Sequence, residues 1–567
     1  MIKTTLFQSL RNDSGKSTRL RLLGFLSIWF LAASAQAAAQ VNREAAGEQR
    51  TARYFESIKA QPLELYAFLR KMPKGGDLHL HLTGSIYAES YIEWAAKVKP
   101  DLCVNQTTFA LVQCDGSANP PASRALTDGV LYRRMVDAWS MRNSEYAGQS
   151  GHDQFFDAFG KFGPAGFDRY GDMVAEVASR AAREGVSYLE MMLTPDNGKS
   201  RVAASKLDWP SDDEITAMSE ADRTNFFAKK RQELIANGIL QPLTGDNNGA
   251  VQESMNLLDQ VEKKKRDLLN CDDPNKAKPG CEVIIRYIFQ VGRSAAQREV
   301  FAQMIAAMEV AKADPRLVGL NLVQAEDTRP AMNNFNVQML MLEYVRKVKE
   351  SEKGYQGANI TLHAGELAPG LVPPEGLRFH IRDSVKKAQA RRIGHGVDIM
   401  YEDEPHKLLK EMADRNVLVE ICLSSNDKIL GVRGKEHPLA MYLKYNVPVA
   451  LATDDLGISR SEMTREYVRA AEDQGLGYLQ LKTMARASLE HAFVDGKSLW
   501  ANPKKLARVR ECSGPASYEE KPLPECRNYL DNNEKARLQW EMEKAFALFE
   551  KSVTGMEAVR AGKAVKR

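Results

Sequence analysis

The chain has 567 residues, 44% hydrophobic and 27% charged, which is enough for a large buried core with insertions. Its 78 Lys and Arg nearly balance 74 Asp and Glu, for a formal net charge of +4. Without a basic stripe, that balance argues against a nucleic-acid partner and for a small, weakly charged one.

Residues 1–39 read as a secretory signal peptide. Lys3, Arg11, Lys16, Arg19 and Arg21 precede the apolar run "LLGFLSIWFLAASA", and small residues follow up to Ala37 and Ala39. The run is short for a membrane span, so no stable anchor is expected after cleavage. Five basic residues and Asp13 give the leader all of the net charge, leaving a near-neutral mature chain. The expected location is a bacterial periplasm or the exterior.

Residues 40–70 read as an N-terminal helical layer. The first strand is "GDLHLHLTG", with His79 and His81 two apart and so on one face. Seven more short runs follow: "VSYLEMMLT" (186–194), "EVIIRYIFQVG" (282–292), "LVGLNLV" (317–323), "NITLHAGE" (359–366), "RRIGHGVDI" (391–399), "NVLVEICLSSN" (416–426) and "VPVALATDDLG" (447–457). Most are almost continuously apolar, as strands buried on both faces must be. Helical patterns such as "YGDMVAEVASRAAREG" separate them. Strand–helix alternation over eight units predicts an α/β fold, a (β/α)8 barrel, over residues 71–499. Insertions are expected at about 97–150 and 195–281, after strands one and two, and a C-terminal helical appendage at 500–567.

Six of the seven cysteines form neighbouring couples, Cys103 with Cys114, Cys271 with Cys281 and Cys512 with Cys526. Each couple brackets a polar, turn-rich loop and reads as a local disulfide, which suits an oxidising compartment. No C-x-x-C unit supports a zinc reading of these cysteines. Cys422, in "VLVEICL", reads as an inert buried thiol. The basic run Lys263 to Arg266 reads as a solvated helix face.

In such barrels the reactive groups sit at the C-terminal ends of strands. Four of the nine histidines fall there: His79 and His81, His363, and His395. Strand eight ends in Asp454 and Asp455. Three histidines and an aspartate suit one Zn²⁺ per chain, with a position left for water. Glu366, three residues past His363 at an expected helix start, is free to act as general acid/base. His395 could hold the hydroxide or stabilise charge, and Asp455 could contact substrate. Singly, each motif has a plainer reading. "HAGE" could be a strand-to-helix turn, "GHG" a tight turn and "TDD" an N-cap. His152, His406 and His491 lie in polar helix-like contexts. His380 and His437 are ambiguous, and His437 before Pro438 could only shape a loop.

"MPKGGDLHLHLTGSI", "LHAGE", "RIGHGVD", "SSN" and "ATDD", in this order, resemble the metal-dependent adenosine deaminase family over about residues 70–495. "KMPKGG", the region from Trp139 to Phe159, "VQAEDTRP" and the leader resemble its secreted, growth-factor-related branch. That branch carries a small disulfide-bearing insertion after strand one, which would match Cys103 to Cys114. The resemblance implies that His79, His81, His363 and Asp454 bind zinc. Glu366 would donate a proton to purine N1, His395 would orient the zinc-bound hydroxide attacking C6, and Asp455 would hydrogen-bond N7. Adenosine or deoxyadenosine would become inosine or deoxyinosine plus ammonia.

Two positions depart from the family pattern. Thr83 stands where the family often has an acidic residue near the ribose, beside His81. Gln324 stands where the family usually has a glycine whose backbone approaches the purine. The substrate could therefore be a modified or phosphorylated adenosine or another amino-purine. A non-catalytic, growth-factor-like binding barrel is the alternative from another class, although such a barrel needs no proton donor beside a metal. The sequence is also compatible with a homodimer.

Overall fold

The computed structural model describes residues 46–560, except 117, 147, 244, 246, 352–357, 514–517, 519 and 520. The expected signal peptide lies outside the described residues. No helix among the described residues is long and apolar enough to cross a membrane.

Chain contacts divide the described residues into two compact units, one of residues 55–497 and one of residues 46–54 with 498–560. The larger unit is the barrel. Its strands are β1 (Gly75–His81), β2 (Val186–Leu193), β3 (Ile284–Gly292), β4 (Leu317–Val323), β5 (Asn359–Ala364), β6 (Arg392–His395), β7 (Leu418–Ile421) and β8 (Val449–Leu451). All neighbours pair in parallel and in chain order. The ring closes through a parallel bridge between Leu80 and Asp454. There the Asp454 N–H donates to the His79 carbonyl at 2.8 Å, and the His81 N–H donates to the Asp454 carbonyl at 3.3 Å. The fold is a (β/α)8 barrel.

The strands form because their residues are buried on both faces: every residue of β7 and β8 is buried, and all but one of β1, β2 and β4. Helices such as Tyr170–Arg183 cover the outside, burying Met173, Val174, Val177, Ala178 and Ala181 along one stripe.

The first insertion carries an antiparallel pair, Leu102–Val104 with Leu111–Gln113, fastened by the Cys103–Cys114 disulfide. The second holds the helices Glu220–Leu234 and Ala250–Leu269, and Cys271–Cys281 closes the loop before β3. Within the smaller unit, Cys512–Cys526 joins the segment before helix Pro524–Asp531 to that helix, in a cluster with Trp500 and Trp540. Cys422 is free and buried.

Two expectations are corrected. Lys265 is not on a solvated face. It shares the buried stripe Val261, Lys265, Leu269 of its helix, spaced by four, and its Nζ donates to the Val283 carbonyl at 3.4 Å. No helix starts at Glu366 either: Gly365 turns at φ +76°, and the next α-helix is His380–Lys386.

Candidate active site

Seven of the eight strand ends aim polar side chains at one point. Period-two alternation puts His79 and His81 of β1 on the barrel interior together. Room for the His79 ring comes from β6, since a Cβ on Gly394 would lie 2.6 Å from His79 Cε1. His363 ends β5. Asp454, just past β8, turns inward with φ +55°, a left-handed conformation that few aspartates adopt.

Each of the three histidines is gripped through Nδ1. Glu420 of β7 meets His79 Nδ1 at 2.7 Å, Gln290 of β3 meets His81 Nδ1 at 2.7 Å, and Asn321 of β4 meets His363 Nδ1 at 2.9 Å. Asn321 Oδ1 also accepts the backbone N–H of His363 at 2.8 Å, which fixes how its amide faces. The proton of His363 therefore sits on Nδ1 and its Nε2 lone pair is free. A carboxylate beside His79 Nδ1 imposes the same tautomer.

The Nε2 atoms converge. His81 Nε2 and His363 Nε2 lie 3.1 Å apart, and Asp454 Oδ1 is 3.4 Å from His79 Nε2 and 3.5 Å from His81 Nε2. His79 Nε2 is buried and has no hydrogen-bond partner. Asp454 Oδ2 accepts the Ser425 hydroxyl at 2.6 Å, leaving Oδ1 for the centre. Lone pairs held that close repel one another unless a cation or proton stands among them. The donor set, the tautomers and the orphaned Nε2 fit a divalent metal.

The centre is charged without one. Burial lowers His79, but the carboxylates of Asp454 and Glu420 outweigh it and push the ring up to about 10. Burial lowers His81, and lowers His363 far below the usual range with help from the neighbouring rings. Deeper in the barrel, Glu420 Oε1 pairs with Arg392 Nε at 2.6 Å and accepts the Thr361 hydroxyl at 3.0 Å. Arg392 also donates to Glu190 of β2 at 2.6 Å. This buried column holds the Glu420 carboxylate in place.

Glu366 follows β5, and its carboxylate atom Oε1 is buried without a hydrogen-bond partner. Glu326 positions it by accepting the backbone N–H groups of Gly365 at 3.1 Å and Glu366 at 3.2 Å. Burial, and then the charges of Asp454 and Glu326, raise the Glu366 carboxyl well above the usual range, which favours its protonated form. His395, at φ +65°, is fully buried, with its ring centroid 4.9 Å from that of His79. Its Nδ1 is 2.9 Å from Asn426 Nδ2, and its Nε2 has no partner.

Asp455 lies over Gly84, where an added Cβ would come within 1.5 Å of its Oδ1. That Oδ1 is buried and unpartnered. Burial and the adjacent Asp454 raise this carboxyl well above the usual range. Thr83 is half-buried, and its carbonyl accepts the Tyr91 hydroxyl at 2.7 Å. Gln324 is exposed, adopts φ +83°, and accepts the Ser294 N–H at 3.1 Å through Oε1. A glutamine there occupies backbone space suited to glycine.

The structure thus gathers His79, His81, His363, Asp454, Asp455, Glu366 and His395 at one end of the barrel. Sequence reasoning missed Gln290, Asn321, Glu420 and Asn426. The signal for the first three was present: an amide or carboxylate in the middle of an apolar strand needs a buried partner.

Three histidines and an aspartate thus converge at the C-terminal ends of the barrel strands, a donor set that could hold a metal ion. Residues 271–501 match the family model described as "Adenosine deaminase". Relatives of the chain include an adenine deaminase from Rhizobium etli, 27% identical over 211 residues, covering 36% of this chain and 62% of that one. An adenosine deaminase from Clostridium perfringens is 28% identical over 186 residues, covering 33% and 51%. One from Escherichia coli is 33% identical over 152 residues, covering 27% and 42%. The chain therefore spans less than two thirds of the length of each. Among solved structures, the N6-mAMP deaminase of Arabidopsis has a TM-score of 0.47 at 19% identity, covering 78% of this chain and 98% of that one.

Proposed function

We propose that this protein is a zinc-dependent deaminase that hydrolyses adenosine or deoxyadenosine to inosine or deoxyinosine and ammonia. One observation carries the reading: the buried, unpartnered Oε1 of Glu366 lies 3.6 Å from His395 Nδ1, at the same strand ends as the converging His79, His81, His363 and Asp454. A proton donor beside a metal position serves chemistry, whereas structural zinc sites are closed and use cysteine.

Zinc held by these four residues would act as a Lewis acid that makes water nucleophilic at neutral pH. Glu366 delivers its proton to purine N1, which draws electrons from C6. Asp455, whose Oδ1 has no partner and whose carboxyl is raised by burial, hydrogen-bonds N7 and orients the ring. His395 holds the attacking water on the side of C6 facing the metal ligands. The water oxygen adds at C6 and its two protons are given up, one restoring the proton Glu366 passed to N1 and one reaching the amino nitrogen, so the C6–N bond breaks and ammonia leaves.

Adenine is the second candidate substrate, because the Rhizobium etli relative is an adenine deaminase. Thr83 and Gln324 support a purine with an altered sugar or amino group as the third. The sequence before residue 40 and three local disulfides support export to the periplasm or the exterior. The Cys103–Cys114 insertion supports the secreted, growth-factor-related branch.

The test is direct. Zinc-loaded protein is incubated with adenosine, deoxyadenosine, AMP and adenine, and ultraviolet change and ammonia are followed. Turnover of adenosine or deoxyadenosine is expected; ammonia from none of the four overturns the reading.

A further inference from the structure

His437 touches none of the metal-facing groups, yet it is 2% exposed and ends a chain of hydrogen bonds with only one possible polarity. The backbone N–H of Leu439 donates to His437 Nδ1 at 3.2 Å. A backbone N–H cannot accept, so Nδ1 carries a lone pair and the ring proton is on Nε2. Burial keeps this ring neutral, lowering it to about 3. His437 Nε2–H then donates to Asn426 Oδ1 at 3.0 Å. That contact decides which way the Asn426 amide faces, because a reversed amide would set N–H against N–H. Asn426 Nδ2 therefore faces His395 Nδ1 at 2.9 Å, as a donor.

An amide N–H requires a lone pair on its partner. His395 must present one at Nδ1, which leaves its proton on Nε2, the buried atom with no protein partner. An imidazolium at this position would set two donors against each other. We propose that Leu439, His437 and Asn426 form a relay that holds His395 neutral with its proton on Nε2, aimed at the metal position as a hydrogen-bond donor.

The consequence separates two kinds of histidine that geometry alone mixes. His395, with His79, His363 and Asp454, offers an atom within 4.8 Å of the others. His363 carries its proton on Nδ1 and offers an Nε2 lone pair, and His79, held at Nδ1 by Glu420, turns its Nε2 toward Asp454. His395 has the opposite tautomer, so it has no lone pair to give a metal. It donates to an oxygen at the centre and cannot take a proton there. Asn426 and His437 are positioning residues, acting through His395.

This inference rests on the proposed metal site, but its test does not depend on turnover. Full-length protein labelled with ¹⁵N-histidine is studied by NMR, metal-free and zinc-loaded, with His395 assigned by the signal lost in His395→Gln. The expected His395 signature is a neutral ring, protonated at Nε2 and bare at Nδ1. His363 should show the opposite. A His395 ring protonated at Nδ1 overturns the relay, whether or not any purine is deaminated.

Asn426→Asp supplies acceptors on both sides and should move the His395 proton to Nδ1. Zinc content should be unchanged and kcat should fall about 100-fold or more with KM within a few-fold, as for other wrong-tautomer variants. A moved proton with unchanged kcat overturns the donor role. If the variant does not fold, the wild-type spectrum still decides.

Discussion

Glu420 holds His79 by its Nδ1–H at 2.7 Å while its other oxygen pairs with Arg392 at 2.6 Å. The carboxylate thus ties a metal-facing ring to the buried column of the barrel. Glu420→Gln keeps an acceptor for one of these contacts but removes the charge, and Arg392 retains Glu190. Metal affinity should fall about 10–100-fold, the usual effect of losing a partner behind a ligating histidine. Competition titration against a chromophoric chelator reads this. An unchanged affinity would show that the Glu420 charge does not support the centre.

Glu366→Gln separates binding from chemistry. The variant removes the proton and leaves His79, His81, His363 and Asp454 untouched. Zinc content should be unchanged, while kcat falls by about 10²–10⁴. Steady-state kinetics with metal analysis on the same sample checks both. Full turnover in the variant would assign the proton donor elsewhere.

Much of this was legible because burial on two faces leaves a strong mark. Continuous apolar runs revealed all eight strands, and His79, His81, His363 and Asp454 interrupt them at their ends. Lys265 was misread for the opposite reason. Four consecutive basic residues look solvated, but helical spacing turns one of them onto the buried side with Val261 and Leu269. His437 and Asn426 were not legible: their roles exist only as hydrogen bonds between positions 11 and 31 residues apart, the second of which ends on His395. Glu366 was singled out on an expected helix start that does not exist. A Gly365 turn and Glu326 hold it instead.

Gln324 makes a testable case for substrate choice. At φ +83° a side chain costs about 1 kcal/mol relative to glycine. Gln324→Gly relieves this and loses one exposed hydrogen bond, so the two effects nearly cancel. The melting temperature should stay within a few degrees. The ratio of kcat/KM between adenosine and N6-substituted adenosines should shift at least several-fold, since backbone replaces side chain at the end of β4. An unchanged ratio would remove Gln324 from substrate discrimination.

Glu402 predicts how stability depends on pH. Its Oε1 accepts the backbone N–H groups of Ile381 at 2.6 Å and Arg382 at 3.2 Å, at the start of helix His380–Lys386. Its Oε2 is buried without a partner. Burial raises the carboxyl from 4.5 to about 7, although the two N–H groups and Arg382 pull it down, and Asp383 adds a small upward push. The folded pKa lies above the unfolded one, so the native state binds the extra proton between them. Its contribution to stability is complete below about pH 4.5 and is lost as pH rises through about 7. Glu402→Gln keeps the accepting oxygen and cannot ionise. Wild type and variant should melt alike near pH 4. By pH 8 the variant should be more stable by about 1–3 kcal/mol, the upper end being the full shift undiminished by residual solvent. Paired melting curves across this range measure the difference. A gap that does not change with pH would show that Glu402 does not titrate in this window.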